Sequence, residues 1–436
     1  MRRSTISSIR FGYGFGPEGA QSDVPRHLIG NAKASATLPP RLPSAKRAET
    51  LVAWNARNKT SEQEKMAVRQ EARRTAAADI RHHLARLVTD PGFGARLVSF
   101  WCDHFTVAAQ GRHITALLPD FIDTAIRPNM TGRFSELLQA AVLHPAMLNY
   151  LNQTQSFGPN SRAGQRQKKG LNENLAREIL ELHTLGVGGG YTQIDVRAFA
   201  KLLTGLGQEK ARFKYRPAMS EPGPHKVLGT LYGDNLDAIR SALNDIAHHP
   251  DTARHIAQKL VHHFVGPADS GLTTRVADAF RLSDGDLTKT YTALLNDDRT
   301  WAPQFRKVKQ PLDFIVSAFR AAGASKADVI GMKQKDFRNG IVASLQMMGQ
   351  PLFRPPGPDG WKEEDEAWIT PPGLAARIRW STAFAERIEA DYDPRDFLKI
   401  ALADAASPLL EFAVAGSESH AEGLALTLIS PEFNRR

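Results

Sequence analysis

Apolar residues recur at helical spacing along most of the chain, whereas runs that alternate between apolar and polar residues are rare. One long helix begins at the capping box of Ser61 and Glu64 and presents Ile80, Leu84 and Leu87 on its apolar face. The pattern predicts an all-α fold, a multi-helix globular protein with long loops and at most a small β-hairpin.

The pattern changes near residue 60, which suggests a division of the chain. Residues 1–60 are predicted to hold an N-terminal helix and an extended loop, because Gly, Pro, Ser and Ala are frequent there and periodicity is weak. Residues 61–436 are predicted to form a helical domain. Within that domain, residues 213–216 and 227–232 are expected to pair as the one small hairpin.

Two long polar loops interrupt the helical pattern. Residues 152–171 are rich in Asn, Gln, Ser, Gly and basic side chains, and we expect this segment to be the most mobile. Residues 350–372 contain several prolines together with Trp361 and Trp368. Because long loops in compact domains are often functional, both loops are expected to flank the polar centre.

The densest polar motif of the chain lies in residues 172–205. Leu175, Ile179 and Leu182 follow helical spacing and form the apolar stripe of an amphipathic helix. A second face of that helix is polar and carries Asn174, Glu178 and Glu181. The glycine-rich stretch at residues 186–190 ends the helix, so the motif predicts a polar helix, a glycine hinge and a second helix.

Two carboxylates of this helix are candidate metal ligands. Glu178 and Glu181 lie one turn apart and can face one point, as carboxylate ligands do in some metal-binding bundles. His183 points elsewhere on an ideal helix, so a divalent metal is not favoured, and neither a metal ligand nor a cofactor is assigned. The alternative is a structural polar seam, in which Arg177 pairs with Glu173 at i,i+4.

His104 lies among large aromatic residues on another predicted helix. Trp101 and Phe105 are spaced at i,i+4 and are expected in the core. His104 is either a general base or a buried histidine held by hydrogen bonds, and in both cases it should contact residues 172–183. Cys102 has no histidine in register to activate it and is not predicted to be a nucleophile.

Further histidines carry weaker signals. His255, Lys259 and His262 share one helix face, which we expect to be solvated and cationic because a lysine lies in its middle. The sequence contains no HExxH, P-loop, GxSxG or CxxC motif.

Charge and composition narrow the choice of partners. The 436 residues include 56 Lys and Arg against 46 Asp and Glu, a net charge of +10. Nucleic-acid binding is unlikely on this pattern, since no basic stripe with interleaved aromatic residues occurs. No apolar run is long enough for a membrane span. The polar residues after Met1 do not resemble an export signal, so a cytoplasmic protein is expected.

Several segments together resemble a bacterial family known as domain of unknown function 1800. The segments that carry the resemblance are residues 10–17, 100–105, 172–190, 195–205, 253–265, 309–311, 348–351 and 360–361. They span nearly the whole chain, and the central motif is the most specific of them.

The resemblance implies a mostly helical fold and no established activity. Members of the family often look secreted, which makes a periplasmic location the alternative to a cytoplasmic one. They are often encoded beside a second family, domain of unknown function 1501, which resembles sulfatases, so a protein of that kind is the expected partner.

Two functions are compatible with these patterns. The first is a hydrolase-like enzyme on an anionic or polymeric substrate, with a catalytic group comprising His104, Arg177, Glu178, Glu181 and His183. Its expected substrate-binding residues are Asn172, Asn174 and Trp361. The second is a non-catalytic assembly partner in which the motif is a buried structural network. An open pocket favours the enzyme, and a closed, fully bonded network favours the assembly partner.

Overall fold

The computed structural model describes residues 1–56, 61–90, 92–267 and 269–436, and only the backbone of residues 112 and 113. These residues form a mainly helical globular protein, which confirms the predicted fold class. No helix in the described ranges has both the length and the apolar character needed to cross a bilayer.

α-Helices occur along the whole described chain. Those of the first half are α1 (Arg3–Ile6), α2 (Pro25–Ala36), α3 (Ser44–Ala56), α4 (Glu62–Thr89), α5 (Phe93–His104), α6 (Gly111–Asp120), α7 (Phe134–Leu143), α8 (Pro145–Tyr150), α9 (Arg162–Gln167), α10 (Asn174–Glu178) and α11 (Gln193–Leu202). Those of the second half are α12 (Leu236–Ala247), α13 (Pro250–Phe264), α14 (Ser270–Leu282), α15 (Leu287–Leu295), α16 (Pro311–Ala321), α17 (Lys326–Gly331), α18 (Gln334–Phe337), α19 (Ser344–Met347), α20 (Pro371–Ile388), α21 (Pro394–Leu402), α22 (Pro408–Ala415), α23 (His420–Ile429) and α24 (Pro431–Asn434).

Two small antiparallel hairpins follow α11. They are built from β1 (Leu206–Glu209) with β2 (Arg212–Tyr215), and β3 (His225–Val227) with β4 (Thr230–Tyr232). The single hairpin expected across residues 213–232 is thus replaced by two local ones. The reason is turn geometry: Lys210 and Ala211, like Leu228 and Gly229, have φ between 48° and 84°, which closes each hairpin within two residues.

Several helices contain or continue into a π-helical turn. The described π-helical turns are Ser7–Phe11, Phe121–Ile126, Ile179–His183 and Arg338–Ala343. Such turns are rare in proteins and occur often at functional sites. One of these turns lies inside the polar motif, and two of them border a cavity lined by α4 and α6 that is described below.

Two apolar clusters form the core. The larger lies among α5–α8 and α11–α15 and includes Phe93 and Trp101, both fully buried. The smaller lies among α4, α16 and α20–α23 and includes Phe314 and Trp380. Helix α5 contributes to both clusters, with Leu97 on one side and Ala95 on the other, so it forms part of the boundary between them.

A buried ion network joins the two clusters. Arg96 on α5 pairs with Asp313 on α16 at 2.6 Å, and Arg436 pairs with the same carboxylate at 3.3 Å. All three side chains are almost completely buried. Burial acts to raise the pKa of Asp313, but the charges of Arg96 and Arg436 outweigh it and hold that pKa below its ordinary value.

Glu363 extends this network into the loop at residues 350–372. Its carboxylate pairs with Lys307, lies 2.5 Å from Nδ1 of His263 and lies 3.9 Å from Nη2 of Arg436. Burial opposes its ionisation, yet His263 and the nearby cations keep the pKa of Glu363 well below its ordinary value. The network therefore fixes the position of the loop against the helices.

Helix α3 occupies part of the stretch where an extended loop was expected. Arg47 binds Asp79 of α4 through two nitrogens, each at 2.8 Å, and Leu51 is buried against the larger cluster. These tertiary contacts stabilise a helix whose sequence has weak periodicity. The end of that expected loop, residues 57–60, lies outside the described residues.

The segment 152–171 is also more structured than the sequence indicates. It contains α9, and Asn160 binds the carboxylate of Glu221 through its backbone at 2.8 Å and its side chain at 2.7 Å. Gly158 packs so closely on Glu221 that an added Cβ would lie 2.5 Å from its backbone. The expected polar loop therefore contains a short helix and is tied to Glu221.

Asp313→Asn should destabilise the protein strongly. The change leaves Arg96 and Arg436 without their shared counter-charge in the interior, and breaking a buried pair costs about 3–5 kcal/mol. Urea denaturation of wild type and variant measures this difference. As a control, Asp396→Asn removes an exposed pair with Lys399 and should cost less than about 0.5 kcal/mol. Equal effects of the two changes would contradict the role of the buried network.

Candidate functional site

The first helix of the polar motif, residues 174–183 and called the motif helix below, changes from α-helical to π-helical geometry along its length. Helix α10 continues directly into the π-helical turn Ile179–His183. Leu175 and Ile179 are fully buried, as the apolar stripe predicts, and Leu182 is half-buried. The stripe packs the helix against the larger cluster and leaves its acidic residues on the other side.

Arg177 is engaged by side chains of the motif itself. It lies 3.6 Å from Glu173 and 3.0 Å from Glu181, and it donates a 2.8 Å hydrogen bond to Gln193. The predicted pair with Glu173 is therefore present. With these three partners, the guanidinium is committed to holding the motif rather than free to bind an anion.

Two histidines from other helices satisfy the end of the motif helix. His104 donates from Nε2 to the carbonyl of His183 at 3.1 Å, and His255 donates from Nε2 to the carbonyl of Leu182 at 3.0 Å. Helix ends leave such carbonyls without partners. At Gly186, φ is +87° and an added Cβ would lie 2.8 Å from His255, so a glycine is required.

His104 contacts the motif helix as the sequence predicts. Because its Nε2 carries the proton, its Nδ1 is a bare acceptor, and this buried atom has no hydrogen-bond partner among the described residues. Nδ1 of His183 is also buried and has no hydrogen-bond partner among the described residues. Burial and the charge of Lys259 lower the pKa of His104 well below its ordinary value and that of His183 to about 3, so both rings are neutral.

Glu178 is the uncommitted carboxylate of the motif. It is half-buried, and within the described chain it makes no hydrogen bond or ion pair. Burial, with the charges of Glu181 and Asp359, raises the pKa of Glu178 to about 7. Burial, followed by the charge of Glu178, raises the pKa of Tyr150 to about 12. Glu178 can therefore exchange a proton near neutral pH.

Asp103 is a second carboxylate of this kind, on α5 beside His104. Its Oδ1 accepts a 2.8 Å hydrogen bond from the backbone of Trp361, while Oδ2 has no partner among the described residues. Burial raises the pKa of Asp103 to about 7. The loop approaches it so closely that a Cβ at Gly360, where φ is +82°, would lie 2.7 Å from Oδ1.

Lys259 corrects the expectation of a solvated cationic face. It is half-buried and makes no ion pair within the described residues, although the charges of Asp103, Asp359 and Glu363 act on it. Burial is the largest effect and lowers its pKa. Helical spacing shows that His255 and Lys259 share one face of α13. It does not show that α5 and the motif helix pack over that face, and this is why the expectation was wrong.

The tip of the second loop brings these groups together. Asp359 is half exposed and acts electrostatically on Tyr150, Glu178, Asp103 and Lys259. The centre is therefore open to solvent at this point. Sequence reasoning missed all of these residues except Glu178. Two sequence signals could have indicated them: Asp103 directly precedes His104, and the loop at residues 350–372 carries Asp359 beside Trp361.

The predicted substrate-binding residues Asn172, Asn174 and Trp361 differ in exposure and in hydrogen bonding. Asn172 is structural, because its amide donates to the carbonyls of Leu151 and Asn152 and its oxygen accepts from the backbone of Asn174. Asn174 itself is exposed. Trp361 is half-buried, 6.0 Å from the ring of Trp368, and its backbone reaches Asp103.

Cys102 lies beside Asp103 on α5 and is half-buried. Burial raises the pKa of Cys102 to about 12, which agrees with the expectation that it is not a nucleophile. Among the described residues, no group of three or more His, Cys, Asp or Glu side chains has the arrangement needed to hold a metal ion.

A cavity of about 110 Å³ reaches one side of the centre. Asp103, Trp361, Glu363 and Cys102 are among the residues that line it. This volume is enough for a few water molecules, at about 30 Å³ each. Asp103 therefore has room beside it for water or for part of a small group.

Glu178→Gln should leave the protein at least as stable as wild type at pH 8. The folded state holds a proton on Glu178 up to about pH 7, whereas the unfolded carboxyl releases it near 4.5, so wild-type stability falls as pH rises between these values. Gln removes that cost, worth about 1 kcal/mol after solvent screening. Thermal melts from pH 4 to pH 8 measure the change.

Glu173→Gln is the matched control on the same helix. Glu173 is 30% exposed and pairs with Arg177, so its loss should cost about 0.3–0.5 kcal/mol and leave the pH dependence unchanged. A large fall in melting temperature for Glu178→Gln, insensitive to pH, would contradict an uncommitted Glu178.

Comparison with known proteins identifies a family and nothing more specific. No curated protein and no solved structure matches the chain. The family model described as "Protein of unknown function (DUF1800)" matches residues 8–435. Since this match covers nearly the whole chain, the protein belongs to the DUF1800 family.

Proposed function

We propose that this protein is a hydrolase that cleaves glycosidic C–O bonds in an uncharged polymer, with Glu178 as the general base and Asp103 as the general acid. The observation that carries the proposal is that both half-buried carboxylates have an oxygen without a partner in the described chain, beside the solvent-exposed Asp359. Structural carboxylates in a folded interior are normally bonded.

The chemistry needs only groups that this chain supplies. Glu178 takes a proton from water as the water oxygen attacks the anomeric carbon. Asp103 gives its proton to the glycosidic oxygen as the C–O bond breaks. One carboxyl must be ionised and the other protonated, and both have a pKa of about 7. Solvent then returns the proton from Glu178 to Asp103.

The charges around the centre favour an uncharged substrate over an anionic one. The centre holds the carboxylates of Glu178, Glu181, Asp103 and Asp359 but only one half-buried lysine, Lys259. Arg177 adds no free positive charge, because two carboxylates hold it. An anionic polymer would meet repulsion here, whereas Trp361 provides an aromatic surface suited to a neutral sugar ring.

A panel of 4-methylumbelliferyl glycosides tests the proposal. We expect the protein to release the fluorophore from at least one neutral glycoside and to act much more slowly on the matching glucuronide, which carries a carboxylate. The rate should pass through a maximum near pH 7, since Glu178 must be ionised and Asp103 protonated. Glu178→Gln should lower the rate about 10²–10⁴-fold, the usual contribution of a general base.

Glu411→Gln is the control for that measurement. Glu411 is exposed on α22, outside the centre, so its replacement should leave the rate unchanged. Cleavage that persists in Glu178→Gln would remove this residue from the reaction. Failure to cleave any neutral glycoside or neutral polysaccharide would overturn the proposal.

An assembly partner of a DUF1501 protein is the second proposal. It is favoured by the part of the motif whose polar groups have partners. Arg177 pairs with Glu173 and Glu181, and Asn172 binds the carbonyl of Leu151 and the backbone N–H of Asn174. Buried or bonded networks of this type can specify helix packing without catalysis. Co-expression with a DUF1501 protein, followed by size-exclusion chromatography, tests it. Separate elution of the two proteins at micromolar concentration would count against this role.

A further inference from the structure

A second cavity, lined by none of the residues of the polar motif, has no part in the proposed reaction. Its volume is about 240 Å³. Helices α4 and α6, the π-helical turn Phe121–Ile126 and residues 351–354 form most of its wall. Apolar side chains of Ile80, Leu118 and Phe353 cover much of its surface.

Arginine side chains outnumber carboxylates around this cavity. Asp123 is shared by Arg86 at 2.7 Å and Arg127 at 3.4 Å. Asp79 is likewise shared by Arg41, at 2.6 Å, and by Arg47 behind the wall. Each carboxylate therefore serves two guanidinium groups.

Arg354 adds a further cation to the wall. It is exposed, and its side chain makes no hydrogen bond or ion pair among the described residues. With Arg41, Arg86 and Arg127 against two aspartates, the lining carries a net charge of +2. Asp90 also acts on Arg127, but burial raises its pKa and weakens this compensation. Positive charge held in a partly buried site favours an anionic occupant.

Two histidines of α4 line the same cavity in the neutral state. Burial, followed by the charges of Arg86 or Arg127, lowers the pKa of His82 to about 4 and that of His83 to about 3. Nε2 of His82 is buried and has no hydrogen-bond partner in the described chain. A neutral imidazole can donate one hydrogen bond, so His82 offers a polar contact beside the arginines.

We propose that this cavity binds a small organic anion with an apolar body, of the size and type of a medium-chain carboxylate. The anionic head would lie against Arg354 and its neighbours, and the body would lie against Ile80, Leu118 and Phe353. The volume equals about eight water molecules at about 30 Å³ each, so the ligand has about ten non-hydrogen atoms or fewer.

Isothermal titration with three probes tests both halves of the proposal. Octanoate carries the charge and the apolar body, 1-octanol carries only the body, and inorganic phosphate carries only charge. We expect octanoate to bind at least about tenfold more tightly than either of the other probes, because only octanoate uses both parts of the wall. Equal affinity for octanoate and 1-octanol, or no octanoate binding at millimolar concentration, would overturn the proposal.

Variants locate the binding within the cavity. Arg354→Gln should weaken octanoate about tenfold without affecting folding, because this side chain is exposed. Val342→Trp should fill the cavity and weaken octanoate as strongly. Arg240→Gln, an exposed arginine on α12 outside the cavity, is the matched control and should have no effect. Unchanged octanoate affinity in both cavity variants would place the ligand elsewhere and overturn the assignment.

Glycosidase activity and octanoate binding are separable in this design. Glu178→Gln removes the proposed base but leaves the cavity wall intact, so octanoate should bind this variant as it binds wild type. Melting temperatures of Val342→Trp and wild type show whether the substitution has unfolded the chain. If Val342→Trp unfolds, the result for Arg354→Gln decides the question.

Discussion

The rest of this structure depends on a buried network of ions between its two apolar clusters. Arg96, Asp313 and Arg436 sit almost without solvent, and Glu363 joins them through its contacts with Arg436 and His263. Burying such charges is expensive unless each has a partner. The partners come from parts of the chain that are distant in sequence, so the network forms only when the helices and the loop at residues 350–372 are docked.

That loop connects the stability of the fold to the polar centre. Its Glu363 belongs to the ion network, while its preceding residues bring Asp359 and the backbone of Trp361 to Asp103. Gly360 makes the close approach possible, because any larger residue would collide with the carboxylate. The loop therefore contacts both the ion network and the polar centre.

The polar motif combines committed and uncommitted groups. His104 and His255 donate hydrogen bonds to the last carbonyls of the motif helix and so hold its end in place. Arg177 holds two glutamates, and Glu178 is left free beside them. A half-buried acid kept without a partner costs stability, and such residues concentrate at functional sites. This contrast is why we propose that Glu178, together with Asp103 on α5, carries the chemistry rather than the buried histidines.

Local rules determined much of the fold from the sequence. The capping box of Ser61 and Glu64 forms as predicted, because a cap depends on residues three positions apart. The helical class, the apolar stripe of the motif and the contact of His104 with the motif helix follow from periodicity and from the need to satisfy buried polar groups. Only the tertiary structure determined which polar side chains are buried. The sequence predicted a solvated Lys259 and did not identify Asp103 as a site residue. Both are buried by segments distant in sequence, and neither this burial nor the pKa shifts it causes can be read from local spacing.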